Sequence, residues 1–173
     1  MKTITITDNG TEKTSKLLAM CRKEFEVYSY LSNDQLDTQF PPPKLSTSRT
    51  FNDTQEPDED LQNMSYDDVK KKNIEFMTIR ERIIFELEYY KRTGEHPDEK
   101  NITLTSSLDE DGGVLRSCWI DYRFCVLAYD QHSAYPFIRA RRVVLPVSLE
   151  SVPFDPSELK IEYKGKVYKI VES

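Results

Sequence analysis

The chain has 173 residues, enough for one full domain with an appendage and too few for two large domains. Its net charge of −6 disfavours nonspecific attraction to nucleic acid or anionic membranes. Apolar residues make up 38% of the chain, which indicates a modest core, and no apolar run approaches the roughly 18 residues of a membrane helix. We therefore expect neither nucleic-acid binding nor membrane insertion.

The amino terminus and the cysteines indicate the compartment. The first residues alternate polar and β-branched side chains and contain no continuous apolar segment of the kind a secretory signal requires. Cys21, Cys118 and Cys125 lack the spacing of a disulfide scaffold or of a structural zinc site. These features predict a cytoplasmic protein without a resident metal or cofactor.

Residues 1–31 predict a small β-α-β piece. Ile4 and Ile6 alternate with threonines as in a strand, Asn9-Gly10 forms a turn, and Thr11 is the predicted cap of a helix. Residues 25–31 again have an extended pattern. A piece of this size cannot fold alone, so we expect it to pack on later parts of the chain.

Residues 32–77 have the composition of a connector. A run of three prolines at 41–43 precedes Ser/Thr-rich and acidic sequence with few apolar residues. Within this Pro/acidic connector the pattern predicts only a short helix at 66–71.

Residues 78–150 form the predicted main domain, which begins with a helix. Thr78 and Glu81 match a capping box, and Gly94 matches a C-terminal glycine stop. The apolar residues of this helix recur along one face, so Arg82 and Glu86 are expected to pair on its exposed side.

After His96 the hydrophobic period changes to that of strands. Ranges 102–106, 114–120, 123–129 and 137–145 alternate polar and apolar residues and are separated by turn residues. Residues 151–173 predict a C-terminal β-hairpin that turns at Lys164-Gly165. The fold class is therefore α+β, built from short antiparallel strands with one or two helices.

The hairpin at 114–129 has two different faces. A two-residue turn at Asp121-Tyr122 would pair Cys118 with Cys125. One face is then suited to a core: Leu115, Ser117, Trp119, Phe124, Val126 and Ala128. The other face mixes apolar and cationic residues: Arg116, Cys118, Ile120, Arg123, Cys125, Leu127 and Tyr129. Either the helix or the N-terminal piece covers this second face, or it is free to bind a partner.

Few residues suggest catalysis. His96 and His132 lie in different loops, and no serine or cysteine has a recognisable paired base. The acidic stretch 109–113 lacks the final glutamate of a calcium loop, which favours a plain hairpin turn. The cluster of Arg139, Arg141 and Arg142 favours a strand with charged edges over an anion site.

One stretch resembles a known family. The residues concerned are Thr103-Leu-Thr-Ser-Ser, Asp111-Gly112, Trp119, Asp121, Val126, Tyr129, Ala134, Pro136 and Ile138-Arg-Ala-Arg141. This pattern resembles the variable proteins of diversity-generating retroelements, in which an error-prone reverse transcriptase rewrites part of a gene, mainly at adenines. The resemblance implies a C-type-lectin-like domain in which core positions stay fixed and exposed, ligand-facing positions vary.

The resemblance also implies a set of ligand-binding residues. Adenine changes in an Asn codon can produce the residues at Cys118, Ile120, Cys125, Leu127, Tyr135 and Phe137, and those at Asp130, His132 and Ser133. The predicted ligand-binding residues are Arg116, Cys118, Ile120, Tyr122, Arg123, Cys125, Leu127, Tyr129, Asp130, His132, Ser133, Tyr135 and Phe137.

The predicted function is a non-enzymatic protein that displays a diversified surface at about 114–137 to a protein or another macromolecular ligand. Two alternatives stay open. One is an oxidase-like enzyme on the same scaffold that binds copper through Cys118 and Cys125. The other is an accessory protein of a mobile element whose second face is buried by a fixed partner or in an oligomer.

Overall fold

A computed structural model describes residues 2–144 in full and the backbone of 160–163 and 166–169. The helices are α1 (Thr14–Cys21), α2 (Asn33–Gln39), α3 (Tyr66–Lys71) and α4 (Ile79–Thr93), with a short 3-10 helix at Glu59–Leu61. The strands are β1 (Thr3–Asp8), β2 (Val27–Ser29), β3 (Thr47–Asn52), β4 (Ile102–Leu108), β5 (Val114–Ile120), β6 (Arg123–Tyr129), β7 (Ile138–Ala140), β8 (Lys160–Tyr163) and β9 (Lys166–Lys169). The α+β class is therefore confirmed.

The largest sheet has the strand order β2-β6-β5-β4-β7. Its three central strands are antiparallel, while the edge strands β2 and β7 pair in parallel with β6 and β4. A second sheet pairs β1 with β3, and a third pairs β8 with β9. None of the helices in the described ranges is long and apolar enough to cross a membrane.

The β5–β6 hairpin has the register that the sequence predicts. Cys118 lies opposite Cys125, and Trp119 lies opposite Phe124. The two turn residues Asp121 and Tyr122 both have positive φ angles, 48° and 62°. Positive φ at both central positions is the geometry of the turn that matches the twist of a two-residue hairpin.

Helix α4 has the predicted ends but a different environment. Thr78 and Glu81 form the capping box, and Gly94 ends the helix with φ 75°. One side of α4 packs on α1 and the main sheet, and the opposite side packs on β1 and β3. The expectation that Arg82 and Glu86 pair in solvent is wrong, because these packed elements bury both side chains completely.

Arg82 and Glu86 belong to a buried ionic network between α4 and the end of β7. Arg82 lies 2.8 Å from Glu86 and 2.9 Å from Asp98, measured between nitrogen and oxygen atoms. Asp98 also accepts hydrogen bonds from Arg141 and Thr103. Burial alone would raise the pKa of Asp98, but the two guanidinium groups outweigh it and lower that pKa below its ordinary value.

The N-terminal residues do not pair among themselves. Strand β1 pairs with β3, and β2 pairs with β6, so the two strands of the predicted β-α-β piece lie in different sheets. Helix α1 begins at Thr14 after Lys13, and the predicted cap at Thr11 is wrong. Arg80 of α4 holds this region by hydrogen bonds of 2.7 and 2.9 Å to the carboxylate of Asp8.

Residues 32–77 contain α2, β3, the 3-10 helix and α3, and α3 has the predicted bounds. Leu36, Phe51, Leu61 and Val69 of this range are buried in three separate clusters. Isolated apolar residues in a polar sequence therefore serve as anchors here, since each contributes its whole side chain to a cluster formed mainly by other elements.

The last predicted elements are partly described. The strand expected at 137–145 is observed as the shorter β7, which ends at Ala140, and residue 145 lies outside the described ranges. Strands β8 and β9 pair in the expected antiparallel register, with Ile161 opposite Tyr168. The predicted turn residues Lys164 and Gly165 lie outside the described residues.

The ionic network generates a stability prediction. Arg82→Met is expected to lower the free energy of unfolding by about 3–5 kcal/mol, because it removes the guanidinium that balances the buried Glu86. Arg92→Met on the same helix is the control, since its ion pair with Asp53 is partly exposed and worth about 0.2–1 kcal/mol. Denaturant titration of both variants measures the difference, and equal losses would contradict the proposed role of the network.

Candidate ligand-binding face

The main sheet has an inner face that packs against α1 and α4. Leu115, Phe124 and Val126 are buried in one cluster with both helices, and Trp119 and Ala128 pack against it. This assignment matches the face that the sequence predicts as core. Because the inner face is fully used in packing, the side chains that alternate with these residues lie on the opposite, outer face.

Half of the outer face is also covered. Leu104, Val114 and Ile138 pack there with Leu61 and Val69, which belong to the segment that includes the 3-10 helix and α3. The cover is thus supplied by the predicted connector, and neither α4 nor the N-terminal piece provides it. The half formed by β2, β6 and the end of β5 carries several exposed residues.

The predicted ligand-binding residues differ in exposure. Among the large apolar and aromatic ones, the exposed side chains are Ile120 (44%), Tyr122 (95%), Tyr129 (39%), Tyr135 (45%) and Phe137 (48%). Arg123, Asp130 and His132 are also exposed, and Leu127 and Ser133 are half-buried. Arg116, Cys118 and Cys125 are buried. The structure therefore places most of these residues at the surface and three beneath it.

Residues 130–137 form a loop over the outer face. The Arg116 guanidinium donates hydrogen bonds to the backbone carbonyls of Asp130 (3.2 Å) and Ser133 (2.9 Å). His132 contacts the Asp67 carboxylate of α3 at 2.6 Å. At the end of the loop the rings of Tyr135 and Phe137 are stacked with centroids 5.5 Å apart. Contacts of Asp130, His132 and Ser133 therefore hold the first half of this loop against the domain, while Tyr135 and Phe137 contact each other.

The two facing cysteines have the properties of buried thiols. Both are free, and burial raises the pKa of Cys118 to about 11 and raises the pKa of Cys125. A thiol with such a pKa is protonated at neutral pH, whereas nucleophiles and metal ligands are thiolates. Within the described residues no group of three or more His, Cys, Asp or Glu side chains is placed to hold a metal ion.

One exposed residue of this face was not predicted. Tyr28 on β2 lies beside Cys125 in the register and is 48% exposed. Tyr28 alternates with Val27 and Ser29, so the local pattern shows only that its side chain points to the opposite side from theirs. Which face of the main sheet this is depends on the parallel pairing of β2 with β6, which joins distant parts of the chain. No local pattern could therefore have placed Tyr28 on the candidate face.

The other residues considered for chemistry have structural partners. His96 stacks on Tyr90 with ring centroids 4.6 Å apart, and its Nδ1 lies 2.8 Å from the buried Glu86 carboxylate. The Asp109 carboxylate accepts hydrogen bonds from the backbone of Asp111 and Gly113, as expected for a hairpin turn.

The arginine cluster is also divided among partners. Arg141 pairs with the buried Asp98, Arg142 pairs with Asp58 and Asp60, and Arg139 donates a hydrogen bond to Gln62. These side chains point to separate acceptors. Arg139 lies in β7, whereas Arg141 and Arg142 follow it and Arg141 is buried, so the expected strand with charged edges is not observed here.

Comparisons of the chain with models of protein families, with characterised proteins and with solved structures find no match.

The geometry of the β5–β6 turn predicts that two glycine substitutions change the free energy of unfolding in opposite directions. Tyr122→Gly is expected to raise the free energy of unfolding by about 1 kcal/mol, because a non-glycine residue at positive φ is strained by about 1–2 kcal/mol. Tyr135→Gly, at an exposed position that is not at positive φ, should lower it by about 0.4–1 kcal/mol, because glycine increases the conformational entropy of the unfolded chain. Thermal and denaturant unfolding measure both, and a destabilised Tyr122→Gly variant would contradict the strain.

The buried thiols generate a reactivity prediction. Raising the pKa of Cys118 from 9.0 to about 11 lowers its thiolate fraction about a hundredfold near neutral pH. We expect iodoacetamide to modify Cys118 far more slowly in the folded chain than in urea, with a rate that rises as the pH approaches 11. Cys118→Ser is the control that assigns the modified peptide. Equal rates in the folded and unfolded chain would show that this thiol is not protected.

Proposed function

We propose that this chain is a non-enzymatic binding protein that displays a ligand-binding surface on the open half of the outer face. The observation that carries the proposal is the set of exposed aromatic side chains on the hairpin turn and on loop 130–137, which includes Tyr122, Tyr135 and Phe137. Large aromatic side chains dominate the energetics of protein interfaces. The proposed ligand is therefore a protein surface.

The support of this face is rigid, which reduces the entropic cost of binding. The inner face of the main sheet is tied to α1 and α4, which fixes the strands that carry the outer residues. A pre-organised face loses less conformational freedom when a ligand docks on it. Exposed positions on such a scaffold also tolerate substitution, since changes there typically alter stability by no more than about 0.5 kcal/mol.

We further propose that a diversity-generating retroelement varies this surface. Ile120, Tyr135 and Phe137 are exposed, and each can arise from an Asn codon by adenine changes. Tyr122 supports the same idea in another way, because it occupies a positive-φ turn position where Gly or Asn is strongly preferred. A residue that opposes the local backbone preference is expected where variation, and not folding, determines the side chain.

A C-type-lectin-like scaffold is part of the proposal. Its support is the arrangement of two helices on one face of a sheet of short strands, with the proposed variable positions on the other face. The scaffold would keep Leu115, Phe124 and Val126 constant while the outer residues change. A cytoplasmic location also belongs to this proposal.

The proposal predicts a second copy of the coding stretch at the gene's locus. Sequencing the surrounding DNA should reveal a non-coding near-repeat of the region that encodes residues 114–145, together with a reverse-transcriptase gene. The differences should lie almost only at template adenines, and should fall at codons for outer-face and loop residues while codons for the inner face match. The inner-face codons are the internal control. Absence of the repeat would remove the retroelement and leave a fixed partner or an oligomer contact to account for the exposed face.

A further inference from the structure

Arg116 differs from the other buried arginines of the described chain. Arg80, Arg82 and Arg141 each form an ion pair with a buried carboxylate. Arg116 is 1% exposed and has no carboxylate within ion-pair distance among the described residues. Its Nη2 donates to two backbone carbonyls, while its Nε and Nη1 have no hydrogen-bond partner there.

Such a guanidinium is costly to bury. Desolvation lowers the pKa of Arg116, which means that the surroundings stabilise its charge less well than water does. The Tyr129 ring, 5.0 Å from the guanidinium carbon, offsets part of this cost by a cation–π contact. A buried cation with unused donors is a site at which an incoming anion gains unusually strong hydrogen bonds.

The surroundings of Arg116 indicate how an anion could reach it. The guanidinium lies beneath loop 130–137, and its Nη2 donates to the neutral carbonyls of Asp130 and Ser133. A carboxylate is a stronger acceptor than a carbonyl, so it can replace these two bonds if the loop lifts. The exposed Arg123 on the same face adds a second positive charge that favours the approach of an acidic ligand.

We propose that Arg116 is the anchor for a carboxylate of the protein ligand, an Asp or Glu side chain flanked by aromatic or aliphatic residues. This inference rests on the proposed binding function and specifies the chemistry of its partner. Loop 130–137 moves aside as the carboxylate enters, and the exposed Tyr129 and Phe137 then contact the apolar residues beside it. The Arg116 guanidinium, with the aromatic ring of Tyr129 near it, complements an acidic residue within an apolar segment.

The test uses two blocked tripeptides as probes, Phe-Asp-Phe and Phe-Asn-Phe, titrated into the full isotope-labelled chain. We expect the Asp peptide to bind at least about tenfold more tightly than the Asn peptide. The reason is that replacing the charged carboxylate by a neutral amide weakens the hydrogen bonds to the guanidinium by at least that factor in affinity. The Nε–H resonance of Arg116 should shift with the Asp peptide only. Equal affinities, or no binding of either peptide, would overturn the inference.

Variants separate the inference from the proposed function. Arg116→Met should fold, since an apolar side chain of similar length replaces a buried charge that has no ion-pair partner among the described residues, and it should bind both peptides with the affinity of the Asn peptide. Arg116→Gln provides a second neutral variant with the same expected result. Arg123→Met is the matched control and should keep most of the preference for Asp.

Two further outcomes would show that Arg116 does not anchor the carboxylate, and the first of them leaves the proposed binding face intact. If both peptides bind equally and Phe137→Ser abolishes their binding, the carboxylate anchor is wrong and the binding face stands. If the preference for Asp survives in both Arg116 variants, the carboxylate is recognised elsewhere and the inference is likewise overturned.

Discussion

The buried ion pairs that join Arg82, Asp98 and Arg141 are the constraint on which the rest of the structure depends. They connect α4 to the loop that follows it and to the segment after β7, which are distant in sequence. Because removing one partner from such a buried pair is strongly destabilising, these ion pairs favour the arrangement that brings the three segments together. That arrangement fixes α4 between the main sheet and the β1–β3 sheet, and so determines which face of the main sheet is closed.

The inner face of the main sheet is closed by packing, so a ligand could contact the sheet only on its outer face. The helices supply the packing for one side, and the segment with α3 covers only the β4–β7 half of the other side. The remaining half carries exposed aromatic residues on the hairpin turn and on loop 130–137. Arg116 lies beneath this surface with no carboxylate of the described residues within ion-pair distance, whereas Arg82 is paired with Glu86 and Asp98. The described part of the domain thus contains one buried network in which the charges are paired and one buried cation without an ion-pair partner.

Local patterns predicted the elements that depend on local interactions. The capping box at Thr78, the stop at Gly94 and the register of the β5–β6 hairpin follow from neighbouring residues, and each is observed. The same reasoning described 32–77 as a connector, because its apolar residues are too sparse to show a period. It also placed Arg82 on an exposed surface, because the helical pattern does not reveal a second packing layer. Of the candidate site, the hairpin and loop positions could be predicted, whereas Tyr28 could not.

The amino-acid sequence by itself determined the α+β class, the long helix, the hairpin and the separation of its residues into two faces, because these depend on side-chain period and turn chemistry. Only the tertiary structure decided which face is open, which charges are buried and that Arg116 has no ion-pair partner among the described residues. Those properties depend on pairings between distant segments, such as β2 with β6 and β1 with β3. A pairing of this kind is chosen by the total free energy of packing and charge balance across the domain, and no single stretch of sequence contains that information.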